Sequence, residues 1–311
     1  MPNKNHMHIY FELTNQCNMN CKYCYNDSGY NKKNYMDYND LRRAIIVLKN
    51  TYNLTSITLS GGEPLLYPKF EQLVAFLHSQ NIKIILITNG SLLSQLEIEL
   101  ISLFGAVQVS IHEDFEKRVD TNSLQQLARK TELSYNAVIN KETLFKIDDY
   151  ERIASKTKGT ISYLIQRNEG RGKNSSLLSF NDVLLINQMY PAVFSRMFQM
   201  SYSQCCYFRT DYDVYTMDPN GYISLCPSLS SGYILGNVFS DWYSKKKEVL
   251  SLLKENIALY RSSVCVKCPL HSICKGVCPG DIGNDFHIKS LYCKVKCWQM
   301  LSAITGSVRT R

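Results

Sequence analysis

Short apolar runs alternate with amphipathic segments over the first half of the chain, and this alternation restricts the fold more than any other feature. Six β-branched runs separated by helical patterns predict six βα units. We expect strands at residues 8–14, 56–60, 83–88, 106–111, 135–139 and 161–166, and helices at 38–49, 70–79, 92–103, 123–132 and 148–156. The pattern therefore indicates an α/β chain with a parallel sheet, whose functional residues gather at the carboxyl ends of the strands.

Three cysteines, Cys17, Cys21 and Cys24, follow the first of these runs in a CxxxCxxC spacing. Random placement of the 12 cysteines of the chain would produce such a triplet with a chance of roughly 0.02. Three thiolates can hold three irons of a 4Fe-4S cube and leave the fourth iron open to a small molecule. A structural zinc site is the alternative, but zinc usually takes four ligands, and no fourth Cys or His follows close downstream.

Glycine and polar residues stand at the ends of the other predicted strands. The turn Gly61-Gly62-Glu63-Pro64 lets the backbone approach a ligand closely and presents carbonyls and a carboxylate to a cationic amino group. Further candidates for ligand binding at strand ends are Asn89, Ser110 and Asn140. For Ser110 and Asn140, simple capping of a strand end is an equal alternative. Weaker candidates for catalysis or substrate positioning are His112, Glu113 and Arg167.

The composition favours a metalloprotein of a reducing, cytoplasmic compartment. The chain has many cysteines but no charged-then-apolar leader and no cleavage site, so metal binding is more expected than disulfides. Its apolar runs are too short to span a bilayer, and we expect no membrane association. The net charge of +8 favours acidic partners in general, and no basic-aromatic module for RNA is visible, so we expect no nucleic acid partner.

The remaining cysteines lie in the last third of the chain. The residues Asp218-Pro219-Asn220-Gly221 predict the tight turn of a hairpin that would bring Cys206 and Cys226 together. Six more cysteines follow within 33 residues: Cys265, Cys268, Cys274, Cys278, Cys293 and Cys297. Six thiols are too many for one tetrahedral metal ion, so two metal centres are the simplest interpretation.

The triplet and the GGEP turn together resemble the radical SAM family, which carries CxxxCxΦC with an aromatic residue, here Tyr23, before the last cysteine. The resemblance covers roughly residues 5–175 and implies a six-stranded partial (β/α)6 barrel. It implies that the triplet holds a cluster whose open iron binds S-adenosylmethionine, with Gly61 to Glu63 around the methionine amine and Tyr23 near the adenine. The implied cofactor-binding residues are Tyr23, Gly61, Gly62, Glu63, Pro64, Asn89, Ser110 and Asn140.

The later cysteines resemble the SPASM extension of a subgroup of that family. The resemblance implies a first auxiliary cluster on Cys206, Cys226 and Cys278, completed by the adjacent Cys205, by Cys297, or left with an open iron; Cys205 is slightly favoured. It implies a second auxiliary cluster on Cys265, Cys268, Cys274 and Cys293, so that the chain would hold three 4Fe-4S clusters. Cys297 would then remain as a helix-core thiol beside Trp298. The implied domains are a radical SAM core at 1–178, a helical bridge at 179–204, and a small cysteine-rich SPASM domain with a β-hairpin and helices at 205–311.

The resemblance also implies a reaction. A reduced cluster would cleave S-adenosylmethionine to methionine and a 5'-deoxyadenosyl radical, which takes hydrogen from an unactivated carbon. A flavodoxin- or ferredoxin-type protein would supply the electron. SPASM enzymes mostly modify peptides or proteins, so we expect a ribosomally synthesised precursor peptide that gains a thioether or carbon-carbon crosslink. Because 16 residues precede Cys17, we expect leader recognition by the barrel, the helical bridge or a separate leader-binding protein.

Four other functions remain as alternatives. A maturase of the formylglycine-forming type is disfavoured because Pro227 stands where that branch carries an acidic base. A peptide epimerase would need a hydrogen-donating thiol, for which Cys205 or Cys297 would serve. A tRNA-modifying enzyme would suit the basic charge. An iron-sulfur electron-transfer or scaffold protein would explain the thiols but not the open-iron triplet with its GGEP turn.

Overall fold

The computed structural model describes residues 6–112, 114–173, 176–198, 212–226, 233–268, 270–272 and 291–305. Several residues singled out by the sequence lie outside these ranges: Glu113, Cys205, Cys206, Pro227, Cys274 and Cys278. The interpretations that rest on them stay predictions.

The described strands form one sheet in the order β6-β5-β4-β3-β2-β1-β7-β8-β9. The strands are β1 (His6–Thr14), β2 (Leu54–Gly61), β3 (Lys83–Thr88), β4 (Phe104–Ile111), β5 (Glu132–Ile139), β6 (Thr160–Ile165), β7 (Tyr212–Met217), β8 (Tyr222–Ser224) and β9 (Ile234–Asn237). The first six run parallel, each beside its neighbour in sequence, which confirms the predicted α/β arrangement. β7 lies parallel beside β1, and β8 and β9 follow antiparallel.

Helices connect the parallel strands and continue after them. They are α1 (Tyr38–Tyr52), α2 (Phe70–Ser79), α3 (Ile98–Ile101), α4 (Phe115–Arg118), α5 (Thr121–Lys130), α6 (Ile147–Ser155), α7 (Phe180–Met189), α8 (Pro191–Phe198), α9 (Lys246–Tyr260) and α10 (Leu291–Thr305). Within the described residues, no helix combines the length and the apolar character that crossing a lipid bilayer requires.

Two predicted helices were wrong at their start or in their interior, and the helix expected over 38–49 continues to Tyr52. The helix expected over 92–103 is interrupted because Leu96 and Glu97 have extended backbone, with ψ of 135° and 146°. A short 3-10 turn, Leu93–Gln95, and the one-turn α3 replace it. The helix expected over 123–132 begins earlier, since the Asp120 carboxylate caps it by accepting from the Ser123 N–H at 3.0 Å. It ends at Lys130, and residue 132 already belongs to β5.

The predicted tight turn at 218–221 is present and joins β7 to β8. The Asp218 carboxylate accepts from the backbone N–H of Asn220 at 2.9 Å and of Tyr222 at 2.8 Å. Gly221 adopts a φ of +81°, a conformation that favours glycine. Because β7 pairs with β1, the hairpin extends the N-terminal sheet across the predicted domain boundary at residue 205.

The two faces of the sheet differ in polarity. On β1, the alternate residues Met7, Ile9, Phe11 and Leu13 are buried in the hydrophobic core with α1 and α2. The residues between them face the other side, where His8, Tyr10 and Glu12 stand in register with Ser56, Thr58 and Ser60 of β2. Strands of parallel sheets are usually apolar on both faces. The polar inner face therefore indicates a surface that meets water or a ligand.

His8 on this inner face predicts a pH dependence of stability. Its Nδ1 lies 2.8 Å from Ser56 Oγ and its Nε2 3.0 Å from Thr58 Oγ1, and burial lowers its pKa from 6.5 to about 4. Since the unfolded chain binds this proton more tightly, the contribution of His8 is complete above about pH 6.5 and is lost as the pH falls towards 4. We expect the free energy of unfolding to lose roughly 2–3 kcal/mol from this group over that range.

Urea unfolding of the wild type and of His8→Gln at pH 4, 5, 6 and 7 would measure this loss. The difference in unfolding free energy between the two proteins should shrink as the pH falls. A difference that stays constant with pH would contradict the prediction, because it would mean that His8 titrates alike in both states.

Candidate functional site

The three cysteines of the triplet line one cavity, of about 190 Å³, at the carboxyl ends of the strands. Its wall also includes residues from the ends of β2, β3 and β4, among them Gly61, Gly62, Asn89, Ser110 and His112. Tyr23, beside Cys24, completes this group. Sequence-distant candidates thus meet at one place because parallel strands end at the same edge of the sheet.

The thiols fit an iron-sulfur cluster that they would share. All three are free, with Cys17 buried and Cys21 and Cys24 half-buried. Burial raises the pKa of Cys17 and raises that of Cys21 to about 12. Among the described residues, no fourth cysteine lines the cavity, and no three His, Cys, Asp or Glu side chains converge on a single ion. Three thiols around a cavity suit a cube of irons better than a four-coordinate zinc ion.

Gly61 and Gly62 pack the end of β2 against the segment that leads into the triplet. The Gly62 N–H donates to the Thr14 carbonyl at 2.7 Å, and the Glu63 N–H donates to the Gln16 carbonyl at 2.8 Å. A Cβ at Gly61 would lie 2.4 Å from the Thr14 oxygen, and one at Gly62 would lie 2.2 Å from the Gln16 oxygen. Gly61 also has a φ of +119°. Only glycine fits at either position, and the bare backbone forms part of the cavity wall.

Glu63 lies behind that wall and is fully buried. Its carboxylate accepts from Thr88 Oγ1 at 2.8 Å, from the Asn89 N–H at 2.8 Å and from the Leu65 N–H at 3.3 Å. Burial raises the pKa of Glu63 to about 7, while these three donors favour the charged form. The side chain therefore joins the GGEP turn to the end of β3, and Pro64 begins a short 3-10 turn outside the cavity wall.

Asn89 connects this network to the triplet. Its Nδ2 donates to Asn18 Oδ1 at 2.9 Å and lies 3.9 Å from Cys17 Sγ. Its Oδ1 accepts from the Ser91 N–H at 3.0 Å, which fixes the orientation of the amide. A donor held beside a ligand sulfur adjusts the affinity and reduction potential of a cluster. Asn89 is placed where it would have this role if the triplet holds a cluster.

Tyr23 and His112 form a pair that the sequence did not reveal. The Tyr23 phenol oxygen lies 2.8 Å from His112 Nδ1, and the two rings stack with centroids 5.8 Å apart. The same nitrogen lies 3.6 Å from Cys21 Sγ. Burial, helped by the charge of Arg118, lowers the pKa of His112 to about 4. The imidazole is therefore neutral near pH 7 and can accept the phenol proton in a hydrogen bond.

A second cavity, of about 380 Å³, adjoins the first and shares Cys21, Tyr23 and His112 with it. Asn140 lies on its wall, but its side chain is largely engaged within the protein. Its Nδ2 donates to Gln166 Oε1 at 2.8 Å, and its Oδ1 accepts from the backbone N–H of Glu142 at 2.8 Å. This arrangement favours the alternative of a strand-end cap for Asn140.

Arg167 lies on neither cavity wall. It forms an ion pair with Glu169 at 3.5 Å and lies over the ring of Tyr25 at 5.8 Å. By contrast Arg171, which the sequence patterns did not single out, lines the first cavity. Its neighbours in Gly170-Arg171-Gly172 are a sequence signal of close backbone packing that would have drawn attention to it.

Two late cysteines meet in the described part of the C-terminal region. Cys268 Sγ lies 3.5 Å from Cys297 Sγ. Cys293 and Cys297 are both buried, four residues apart on α10, and they pack with Leu270. Cys297 is therefore a buried helix thiol as expected, but it lies beside another cysteine of the dense run. The predicted auxiliary ligand sets include residues outside the described ranges and stay predictions.

Comparison with known proteins agrees with this site. Residues 11–139 match the family model of the radical SAM superfamily. The uncharacterised protein MJ0907 of Methanocaldococcus jannaschii is 26% identical over 255 residues, which cover 74% of this chain and 88% of that protein. The sporulation killing factor maturation protein SkfB of Bacillus subtilis is 34% identical over 105 residues, or 33% of this chain. The chain spans only 25% of the length of SkfB.

Two solved structures share the fold at low sequence identity. The structure of anSMEcpe with bound AdoMet superposes with a TM-score of 0.67 at 17% identity, covering 98% of this chain and 100% of the other. Streptococcus suis SuiB bound to the precursor peptide SuiA superposes with a TM-score of 0.65 at 17% identity, covering 92% of this chain and 74% of SuiB. The family match runs from β1 to β5 and includes the thiol triplet on the cavity wall, so this part of the chain is similar to the radical SAM superfamily.

Proposed function

We propose that this protein is a radical S-adenosylmethionine enzyme that modifies a ribosomally synthesised precursor peptide by forming a thioether or carbon-carbon crosslink. The observation that carries the proposal is the cavity on which Cys17, Cys21 and Cys24 meet the two glycines of the GGEP turn. The peptide substrate is supported by the relatives, since SkfB is named as a maturation protein and SuiB was solved with a precursor peptide.

The residues that line this cavity would have different roles. The three thiolates would hold three irons, and Gly61 and Gly62 would let the main chain approach the amine of S-adenosylmethionine. When bound, the cluster and S-adenosylmethionine would supply the 5'-deoxyadenosyl radical. Apolar side chains from three strands, Ile87, Val138 and Leu164, line the same cavity and would limit the access of water to it.

The C-terminal cysteines would hold two auxiliary clusters, which give an electron a route out of an oxidised product. The contact between Cys268 and Cys297 supports Cys297 as the alternative to Cys293 for the last ligand of the second auxiliary cluster. The net charge of +8 suits an acidic electron donor of the flavodoxin or ferredoxin type. A separate leader-binding protein would be a further partner.

Anaerobic reconstitution followed by incubation with a candidate peptide tests the proposal. We expect about twelve irons per chain, cleavage of S-adenosylmethionine, and a peptide lighter by two hydrogens. A short Cys-rich or aromatic-rich precursor encoded beside the protein would be the first candidate peptide. Failure of the reconstituted protein to cleave S-adenosylmethionine would contradict the enzyme function.

The product of the incubation with the peptide distinguishes the proposed crosslinking from the alternative functions. In heavy water, a peptide that gains one deuterium without losing mass would indicate an epimerase. Conversion of a Cys or Ser side chain to an aldehyde would indicate a formylglycine-forming maturase. Iron that cycles between redox states without cleaving S-adenosylmethionine would indicate an electron-transfer or scaffold protein.

A further inference from the structure

The loop after β6 contacts residues 17–29, the loop that carries the cysteine triplet and is called the cysteine loop below. In the described sheet, β6 and β1 are separated by four strands, so no strand pairing joins them. Instead, the 3-10 turn Gly170–Gly172 makes the connection. The Arg171 N–H donates to the Cys24 carbonyl at 3.0 Å, and Arg171 Nε donates to the Cys21 carbonyl at 3.0 Å.

The turn is shaped to fit this contact. Gly170 has a φ of +55°, and a Cβ there would lie 2.4 Å from the carbonyl oxygens of both Cys24 and Tyr25. The guanidinium is held from its other side as well, because Arg171 Nη1 donates to Asp27 Oδ1 at 2.9 Å. One side chain therefore binds the cysteine loop at residue 21 and at residue 27, while its main chain binds it at residue 24.

The position also brings a positive charge to the triplet. Arg171 lines the cavity with the three cysteines, and its side chain is only 24% exposed. Other charged groups also act on this region: Asp27 pairs with both Arg171 and Lys32, Arg118 acts on Cys21, and the buried Glu63 acts on Cys17. A cluster bound by three thiolates becomes more negative when it accepts an electron, and a nearby cation stabilises that state.

We propose that Arg171 is a positioning residue with two roles. It closes the side of the sheet where β6 and β1 are not paired, because it holds the loop after β6 on the cysteine loop. It also stabilises the reduced state of the cluster bound there. The second half of this inference rests on the proposed function, since it requires that the triplet holds a cluster. The step is a one-electron reduction: the cluster gains one electron from a flavodoxin- or ferredoxin-type donor, and no bond or proton of Arg171 changes.

The closing role can be tested in the protein without iron. Hydrogen exchange of residues 17–29 in apo-protein should be about tenfold faster in Arg171→Gln than in the wild type, since the substitution removes the two hydrogen bonds from the Arg171 side chain to this loop. Arg171→Lys should give an intermediate rate, because its single ammonium nitrogen lacks the rigid fork by which Arg171 binds the Cys21 carbonyl through Nε and Asp27 through Nη1. Arg196→Gln is the matched control, since Arg196 pairs with Glu151 and does not touch the cysteine loop.

The electrostatic role can be tested by redox titration of the reconstituted protein followed by electron paramagnetic resonance. Arg171→Gln should shift the ratio of reduced to oxidised cluster about tenfold towards the oxidised form, equivalent to about 59 mV for one electron. Arg171→Lys keeps the positive charge, so the reduction potential of its cluster should stay close to that of the wild type. Arg196→Gln should match the wild type.

The outcomes distinguish this inference from the proposed function. Wild-type exchange and wild-type potential in Arg171→Gln would overturn the inference. A wild-type protein that holds no cluster would overturn the proposed function and the electrostatic role, while the exchange result would still decide the closing role. If Arg171→Gln does not fold, Arg171→Lys is the deciding variant. An unchanged exchange rate in Arg171→Lys would overturn the closing role. A reduction potential about 59 mV below that of the wild type would overturn the electrostatic role, because lysine keeps the positive charge.

Discussion

Replacing Cys21 with serine is expected to remove nearly all cleavage of S-adenosylmethionine. Loss of a partner that merely orients a metal ligand typically costs 10- to 100-fold in metal affinity or activity. Loss of one of three ligands should cost more, and we expect a decrease of more than about a thousandfold in the cleavage rate. The iron content should fall by about four atoms per chain, because the cube would no longer be held.

Anaerobic reconstitution, iron analysis and quantification of 5'-deoxyadenosine measure this result. Lys33→Ala is the matched control: Lys33 is exposed and lies in the same loop, outside both cavity walls. It should keep wild-type iron and wild-type cleavage. A Cys21→Ser protein that retains all its iron and cleaves S-adenosylmethionine would refute the assignment of the triplet as the cluster site.

The second large effect is expected for Gly62→Ala. The new Cβ would lie 2.2 Å from the Gln16 carbonyl oxygen, and the neighbour that must move is main chain one residue before Cys17. Main chain cannot rotate away as a flexible side chain can, so we expect a loss of about 2–4 kcal/mol in the free energy of unfolding. Because the displaced segment leads into the triplet, iron retention should fall as well.

Denaturant unfolding and iron analysis under a chelator challenge would measure both losses. Gly29→Ala is the matched control, since a Cβ at Gly29 would meet its nearest neighbour, Arg171 Nη1, at 3.8 Å, an ordinary contact distance. It should unfold within about 1 kcal/mol of the wild type. Equal stability of the two alanine variants would mean that the close approach of Gly62 to Gln16 does not constrain the protein.

Much of the site could be predicted from local sequence. The spacing of Cys17, Cys21 and Cys24 directly after an apolar strand indicated three thiols at a strand end, and the structure brings them to one cavity. The double glycine predicted a close approach of the backbone to a ligand. The structure shows that both glycines pack against the main chain before Cys17 and that they also line the cavity, while the approach to a ligand stays a prediction. Such features depend on residues near in sequence, whose conformations follow from residue type and periodicity.

The roles of the acidic and aromatic candidates could not be predicted in the same way. Glu63 appeared as a ligand of an amine, but its carboxylate is buried and hydrogen-bonded to Thr88 and to the Asn89 N–H. Tyr23 and His112 were separate candidates, and their hydrogen bond joins residues 89 positions apart. Sequence spacing does not tell which of several strand-end side chains faces the cavity and which turns inward.

The sequence by itself determined the six parallel βα units, the thiol triplet at the first strand end and the tight turn at 218–221, because each follows from periodicity or turn chemistry within a few residues. Only the tertiary structure decided that β7 lies beside β1, that Cys268 meets Cys297, and that Arg171 reaches the cysteine loop across 150 positions of sequence. The physical reason is that these contacts depend on strand order and on the packing of loops that follow strands far apart in the sheet. No local preference of the chain encodes either of them.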